Sequence, residues 1–246
     1  MKGFFSRFFN PNQNAIKKVA PTVEQILAKE SYYKESSVED MSKQVSKMRE
    51  ELRGYIDKIP VMARMPLATE EFKKYEDIEK QVHEKLQSFV VDLFAILREI
   101  NRRKLGKPHY SVQLTAATIL AKGHSLTELR TGEGKTQVFH LPAALYGLTG
   151  RGSHVITVND YLARRDGEYA GHAFSDIGIS VGVITPQASY KFIPDNELKA
   201  TKGEDAYKER QSLDISKLSD MKGVNLIECP KKEAYQQDVL YATNNE

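Results

Sequence analysis

The feature that most constrains this chain is a glycine-rich run in its middle, Thr131-Gly132-Glu133-Gly134-Lys135-Thr136. Glycines leave backbone N–H groups accessible, and a helix that begins near Lys135 would point the positive end of its dipole at bound phosphates. Lys135 would reach the β- and γ-phosphates, and Thr136 would place its hydroxyl on Mg²⁺. The sequence therefore predicts a triphosphate and Mg²⁺ site formed by Gly132, Glu133, Gly134, Lys135 and Thr136.

The run departs from the general phosphate-loop pattern, which has glycine five positions before Gly134, where this chain has Leu129. The shorter pattern, Gly-x-Gly-Lys-Thr, is the one that helicase-like motors use. The alternative interpretation is an accidental turn. A predicted strand near Thr127–Leu129 and a predicted helix from Lys135 to about Leu148 flank the run, and this context favours phosphate binding.

The segments around the loop alternate between strand and helix patterns. This spacing predicts an α/β fold with a parallel sheet and right-handed crossovers. The predicted helices are 111–121, 135–148 and 161–176, and the further predicted strands are 155–158, 181–184 and 238–243.

The first hundred residues have helical patterns instead. Ser37-Val-Glu-Asp40 resembles a capping box and starts a predicted helix that runs to about Tyr55. After a loop punctuated by Pro60 and Pro66, Thr69 opens a long helix with one apolar stripe. We therefore divide the chain into a helical arm, 1–105, and part of an α/β domain, 106–246. Residues 186–230 are polar, and we expect an inserted surface loop with one helix around 205–212.

The composition, 40% hydrophobic and 28% charged residues, is that of an ordinary globular protein. The net charge of +3 is too small to indicate nucleic-acid binding. A single cysteine, Cys229, excludes an internal disulfide and favours a reducing compartment. The scattered histidines predict no structural metal. No run approaches the roughly 18–20 apolar residues that span a bilayer. The phenylalanines within 4–9 would share a helix face, which either folds back on the body or anchors weakly at a membrane surface.

Three segments carry a resemblance to a known family: 128–136, the run Thr157-Val-Asn-Asp-Tyr-Leu-Ala-Arg-Arg-Asp166, and the run Tyr241-Ala-Thr-Asn-Asn-Glu246. Together they resemble the SecA family of bacterial protein-translocation motors. Good matches cover about 92–184 and 231–246, and a looser one begins at Met1. The resemblance implies a RecA-like motor domain of the superfamily 2 helicase type, here truncated, behind a helical arm.

The same resemblance implies roles for individual residues. Gln113 takes the position of the glutamine that reads adenine, which makes ATP the expected nucleotide. Asn159 and Asp160 would cap the following helix, and we favour a structural role for the two arginines 164 and 165. Pro108 and Ser111 replace a common arginine and a common aspartate, so contacts on the adenine side are expected to differ.

As a function, the resemblance implies an ATPase that drives preproteins through the SecYEG channel. The implied location is the cytoplasm and the inner face of the cell membrane. An anionic membrane surface is a possible further partner, and no nucleic acid is expected as a partner. Self-association is left open. The family's acidic Mg²⁺ and water-activating motif would lie beyond Glu246, so we assign no catalytic residue and expect little or no hydrolysis by this chain alone. The alternatives are a nucleic-acid helicase fragment, a non-catalytic piece that docks on the membrane or channel, and a gene fragment without an independent role.

Overall fold

The structure is a computed structural model that describes residues 11–59 and 69–245. The predicted phenylalanine face and the loop between Pro60 and Pro66 lie outside the described residues. Within the described parts of the chain, no helix combines the length and the apolar character needed to cross a membrane. The helices are α1 (Pro11–Ala28), α2 (Glu30–Glu35), α3 (Val38–Ile56), α4 (Thr69–Leu105), α5 (Ser111–Ala121), α6 (Lys135–Gly147), α7 (Asp160–Phe174), α8 (Asp195–Lys202), α9 (Glu204–Ser212) and α10 (Lys231–Tyr235).

The predicted N-terminal helices form as expected from local sequence signals. The Ser37 hydroxyl accepts a hydrogen bond from the Asp40 backbone N–H at 3.0 Å and caps α3. Along α4, the stripe predicted from apolar spacing is buried from Val82 to Ile100, including Leu86 and Leu93. α3 is thus marked by a local start signal and α4 by an apolar face, so both helices can be identified without knowledge of the fold.

The strands form one sheet in the order β1-β5-β2-β3-β4. β1, β5 and β2 are parallel, which confirms the predicted α/β class, whereas β3 and β4 are antiparallel additions beside β2. The helix α7 crosses from β1 to β2 and packs on the sheet. The strands are β1 (Ser153–Thr157), β2 (Val181–Ile184), β3 (Ser189–Phe192), β4 (Leu226–Glu228) and β5 (Val239–Thr243).

The strand predicted near Thr127–Leu129 is wrong, because residues 125–130 have no regular secondary structure. The side chain of Leu126 in this segment is 94% exposed. A strand is stable only where a neighbour completes its backbone hydrogen bonds. Within the described residues, no strand pairs with this segment, and β1 pairs only with β5.

The 186–230 insert was predicted as a surface loop with one helix, and this description is incomplete. The predicted helix is present as α9, but the insert also contains β3, α8 and β4. Ile193, Leu198 and Val224 form a small buried cluster of their own. Because Val224 follows Leu198 by 26 residues, across a stretch rich in charged residues, this cluster is not visible as a local pattern.

One hydrophobic core extends across the predicted boundary at 105/106. Ile26 of α1 and Leu93 of α4 belong to the same buried cluster as Leu141 of α6 and Phe174 of α7. The division into an arm and a motor part remains a prediction. The shared core means that the N-terminal helices pack directly on the elements that position the glycine loop.

Candidate nucleotide site

The glycine loop lies immediately before α6, as predicted. Gly132 has φ +89° and Gly134, the residue that precedes the helix, has φ +79°. This left-handed region strains residues that carry a Cβ, so the glycines are required by backbone geometry. At the start of α6 the Gln137 N–H already donates to the Gly134 carbonyl at 3.0 Å, whereas the N–H groups of Lys135 and Thr136 have no backbone acceptor among the described residues, which suits an anion. Space around Gly132 is open, with no atom within 4 Å of where a Cβ would stand.

Gln113 is buried against this loop. Its side-chain Oε1 accepts a hydrogen bond from the Tyr110 backbone N–H at 2.9 Å, and its Nε2 donates to the Glu133 carbonyl at 2.9 Å. A Cβ on Gly134 would lie 2.3 Å from the same Nε2. The structure therefore brings the residue that was predicted to read adenine to the loop, where its side-chain amide ties α5 to the turn.

Three predicted loop side chains have different surroundings. Lys135 is exposed, and no described residue forms an ion pair with it. The Thr136 hydroxyl donates to Oδ2 of Asp166 at 3.5 Å. Glu133 Oε2 accepts from the Arg130 backbone N–H at 2.8 Å, so this carboxylate closes the loop on itself. The lysine is thus free to reach a phosphate, whereas the glutamate is already engaged.

Asp166 is a site residue that the sequence interpretation did not single out. Its side chain is almost fully buried, and Oδ1 accepts from Arg165 Nε at 2.7 Å. Burial raises the pKa of Asp166, and the neighbouring Arg165 opposes that rise. The available signal was its place at the end of the 157–166 run, but only the fold shows that it faces Thr136.

Two other residues of that run make contacts within the fold. Asn159 Oδ1 accepts from the Leu162 backbone N–H at 2.9 Å, which confirms the predicted cap of α7. The Arg164 guanidinium stacks over the Tyr190 ring at 5.1 Å. The cap starts α7, the stacking contact holds α7 against β3, and α7 in turn carries Asp166 to the loop.

A cavity of about 420 Å³ opens between the loop and the start of α5. Its lining includes the loop residues Gly132, Glu133, Gly134 and Thr136, together with Tyr110, Val112 and Leu218. Cavities of this size hold small ligands, and the lining of this one combines the glycine loop with apolar side chains. Leu218 comes from the 186–230 insert, and no sequence pattern had placed it in the site.

Three parallel strands, the crossover helix α7 and a glycine loop at a helix start fit a RecA-like α/β domain, here packed with an N-terminal helical region. The model of the SecA DEAD-like domain family matches residues 4–246. The chain belongs to the SecA family.

Individual relatives agree with this assignment. The protein translocase subunit SecA of Thermodesulfovibrio yellowstonii is 40% identical over 163 residues, which is 66% of this chain and 16% of the relative. SecA of Roseiflexus sp. is 34% identical over 249 residues, covering 100% of this chain and 20% of the relative. SecA of Fervidobacterium nodosum is 32% identical over 258 residues, covering 100% and 26%. The chain thus spans between a sixth and about a quarter of the length of these relatives.

Proposed function

We propose that this chain binds Mg²⁺-ATP at the Gly132–Thr136 loop. The observation that carries the proposal is the left-handed backbone at Gly132 and Gly134 directly before α6, at the edge of the 420 Å³ cavity. This arrangement aims the unsatisfied N–H groups and the positive dipole end of the helix at one place. The open space at Gly132 leaves room for phosphate oxygens to approach the backbone closely.

The side chains of the site have separate roles in the proposed binding. Lys135 supplies a mobile positive charge to the β- and γ-phosphates. Thr136 offers a hydroxyl lone pair to Mg²⁺ while its O–H points to Asp166. The Asp166 carboxylate, which accepts from this hydroxyl, would hold it in the orientation that a metal ion needs. Gln113 lies beside Tyr110, at the end of the cavity that would hold the base, which we call the base end. The second lone pair of its Oε1 would accept a hydrogen bond from the exocyclic amine of adenine.

We propose that the 246 residues alone hydrolyse ATP slowly or not at all. Among the described residues that line the cavity, Glu133 is the only carboxylate, and it is bonded to the loop backbone. No arginine lines the cavity in the described parts of the chain. Phosphoryl transfer needs a group that orients the attacking water and a cation that compensates the developing charge. The described residues supply the phosphate cradle and the charge of Lys135, but no unengaged carboxylate that could orient the water and no arginine lines the cavity.

In a complete motor of this family, the site would take part in ATP-driven movement of preproteins through the SecYEG channel. We carry this role over from family membership. The same membership suggests a location in the cytoplasm and at the inner face of the cell membrane. It also suggests the channel, preproteins and anionic lipid as partners. The alternative of a nucleic-acid helicase has no support in the modest net charge of +3.

The test of binding is titration of the chain with a fluorescent ATP analogue and Mg²⁺, with Lys135→Ala in parallel. We expect saturable binding that Lys135→Ala weakens at least tenfold, because the phosphates lose their main cation. Lys208→Ala, on an exposed position of α9, is the matched control and should bind like the parent. Equal affinity of the parent and Lys135→Ala would contradict the proposal.

Hydrolysis is measured separately, as phosphate release by the isolated chain at saturating ATP. We expect release indistinguishable from that of Lys135→Ala. Turnover that requires both Mg²⁺ and Lys135 would contradict the proposed lack of hydrolysis while leaving the proposed binding intact.

A further inference from the structure

We propose that the 186–230 insert forms the outer wall of the base end of the nucleotide site, with Leu218 as the side chain that packs on the nucleobase. The inference rests on the proposed function, since it assigns an additional contact to the same ligand. It makes the insert a determinant of base binding, separate from the loop that holds the phosphates.

Leu218 is placed in the site by a short 3₁₀ turn, Leu218–Asp220. Its side chain is half-buried and packs against the main hydrophobic core. It lines the same cavity as Val112 and Tyr110, which are 51% and 70% exposed. These three side chains offer apolar surface that is accessible from the cavity, which is what a planar base requires for packing.

One contact fixes the start of this segment to the site. Lys107 Nζ donates to the Ser216 carbonyl at 2.5 Å, and Lys107 itself lines the cavity. Lys107 belongs to the connection between α4 and α5, which also carries Tyr110. The insert and the base end of the site are therefore joined two residues before Leu218.

A buried carboxylate fixes the other end. Glu168 of α7 accepts hydrogen bonds from the backbone N–H groups of Gly223 at 2.6 Å and Asn225 at 2.9 Å. Glu168 is 1% exposed, and Lys202 Nζ donates to the neighbouring Val224 carbonyl at 2.8 Å. A charged group is buried only where such partners compensate for lost water. The segment 216–225 is thus held at both ends, and Leu218 needs no closing motion to meet a ligand.

The chemistry of the two ends predicts separable effects. Phosphates bind through charge and backbone N–H groups, which Leu218 does not contact. An apolar wall contributes to base affinity through packing alone, and in an apolar pocket even one methylene group changes discrimination by roughly 10- to 200-fold. Removal of the Leu218 side chain should weaken nucleotide binding without weakening the binding of a base-free polyphosphate.

The experiment compares the 246-residue chain with Leu218→Ala, Leu218→Met and Leu213→Ala, using the fluorescent ATP analogue and competition by inorganic tripolyphosphate. We expect Leu218→Ala to lose about tenfold in affinity for the nucleotide, at the low end of that range, with unchanged affinity for tripolyphosphate. Leu218→Met keeps an apolar side chain and should bind like the parent. Leu213→Ala removes another half-buried leucine of the insert, which packs in the insert's own cluster, and should also bind like the parent.

The outcomes separate this inference from the proposed function. Parental nucleotide affinity in Leu218→Ala, together with loss of binding in Lys135→Ala, would overturn the inference alone. Absence of nucleotide binding by the parent would overturn both. Equal losses for nucleotide and tripolyphosphate in Leu218→Ala would show a general disturbance and also overturn it.

Photolabelling of the unmodified chain by 8-azido-ATP gives a second test that does not depend on the folding of a variant. We expect the label on the peptide that contains Leu218, in competition with ATP. ATP-protected labelling confined to other peptides would overturn the inference.

Discussion

At the scale of single residues, the buried histidines have consequences that their sequence positions did not reveal. His140 on α6 is fully buried, and neither ring nitrogen has a hydrogen-bond partner within the described residues. Its ring packs against Phe174 with centroids 5.4 Å apart. Burial lowers the pKa of His140 to about 3 and that of His109 to about 4, so both are neutral in the folded chain at physiological pH.

These lowered pKa values predict acid sensitivity. A histidine whose folded pKa is depressed contributes stability that is present above its unfolded pKa near 6.5 and is lost as the pH falls towards the folded value. At pH 5, each such histidine is protonated in the unfolded chain but not in the folded one, which lowers the free energy of unfolding by about 2 kcal/mol. His140→Phe should therefore reduce the drop in that free energy between pH 7.5 and pH 5 by about 2 kcal/mol, measured by urea unfolding.

The control for this prediction is His154→Phe, because His154 on β1 is exposed and keeps contact with water. This variant should show the same difference between the two pH values as the parent. An unchanged pH dependence in His140→Phe would show that His140 is not neutral and buried as described.

At the scale of elements, the junction between the glycine loop and α6 combines two constraints at Gly134. Its φ of +79° strains any other residue, and a Cβ there would lie 2.3 Å from Gln113 Nε2. Gln113 would then have to leave its hydrogen bond to the Glu133 carbonyl. The start of α6 and the position of α5 are therefore coupled through one glycine.

We expect Gly134→Ala to lower the free energy of unfolding by more than the roughly 1–2 kcal/mol that left-handed strain alone costs, and to weaken nucleotide binding more than tenfold. Gly150→Ala is the matched control, because Gly150 has φ +66° and no atom within 4 Å of its Cβ position. It should show the strain cost and bind nucleotide normally. Equal stability losses in the two variants, measured by urea unfolding, would argue against the steric coupling to Gln113.

At the scale of the whole molecule, a long-range ion pair joins the N-terminal helices to the sheet. Arg49 of α3 donates to both carboxylate oxygens of Asp238, at 2.6 and 3.1 Å. Asp238, just before β5, also accepts from the Ser180 backbone N–H and hydroxyl just before β2. Together with the shared core, this network makes the helical region and the sheet parts of one packed body.

Arg49→Ala should lower the free energy of unfolding by about 2 kcal/mol, because it leaves a nearly buried carboxylate without its cation; a fully buried pair would cost more. Arg53→Ala, on an exposed position of the same helix, should change it by less than about 0.5 kcal/mol. Unfolding followed by circular dichroism and by tyrosine fluorescence should give coincident transitions. Separate transitions, or equal effects of the two variants, would contradict the single packed body.

Local signals in the sequence determined much of this protein. The caps at Ser37 and Asn159, the apolar stripe of α4, and the strands β1, β2 and β5 were all predicted, since each depends on residues close together along the chain. The glycine loop was also identified, because the backbone at a helix start needs only glycines and a following helix. The SecA family followed from short motifs of the same local kind.

The tertiary structure alone decided the remainder. Whether 127–129 forms a strand depends on a neighbouring strand that its own residues do not encode, and the antiparallel β3 and β4 depend on each other in the same way. Asp166 meets Thr136 across 30 residues, and Leu218 reaches a cavity whose loop lies more than 80 residues earlier. Such contacts depend on how the helices and the sheet pack. Packing brings together residues that are close in space, and their spacing along the sequence does not specify which residues these are.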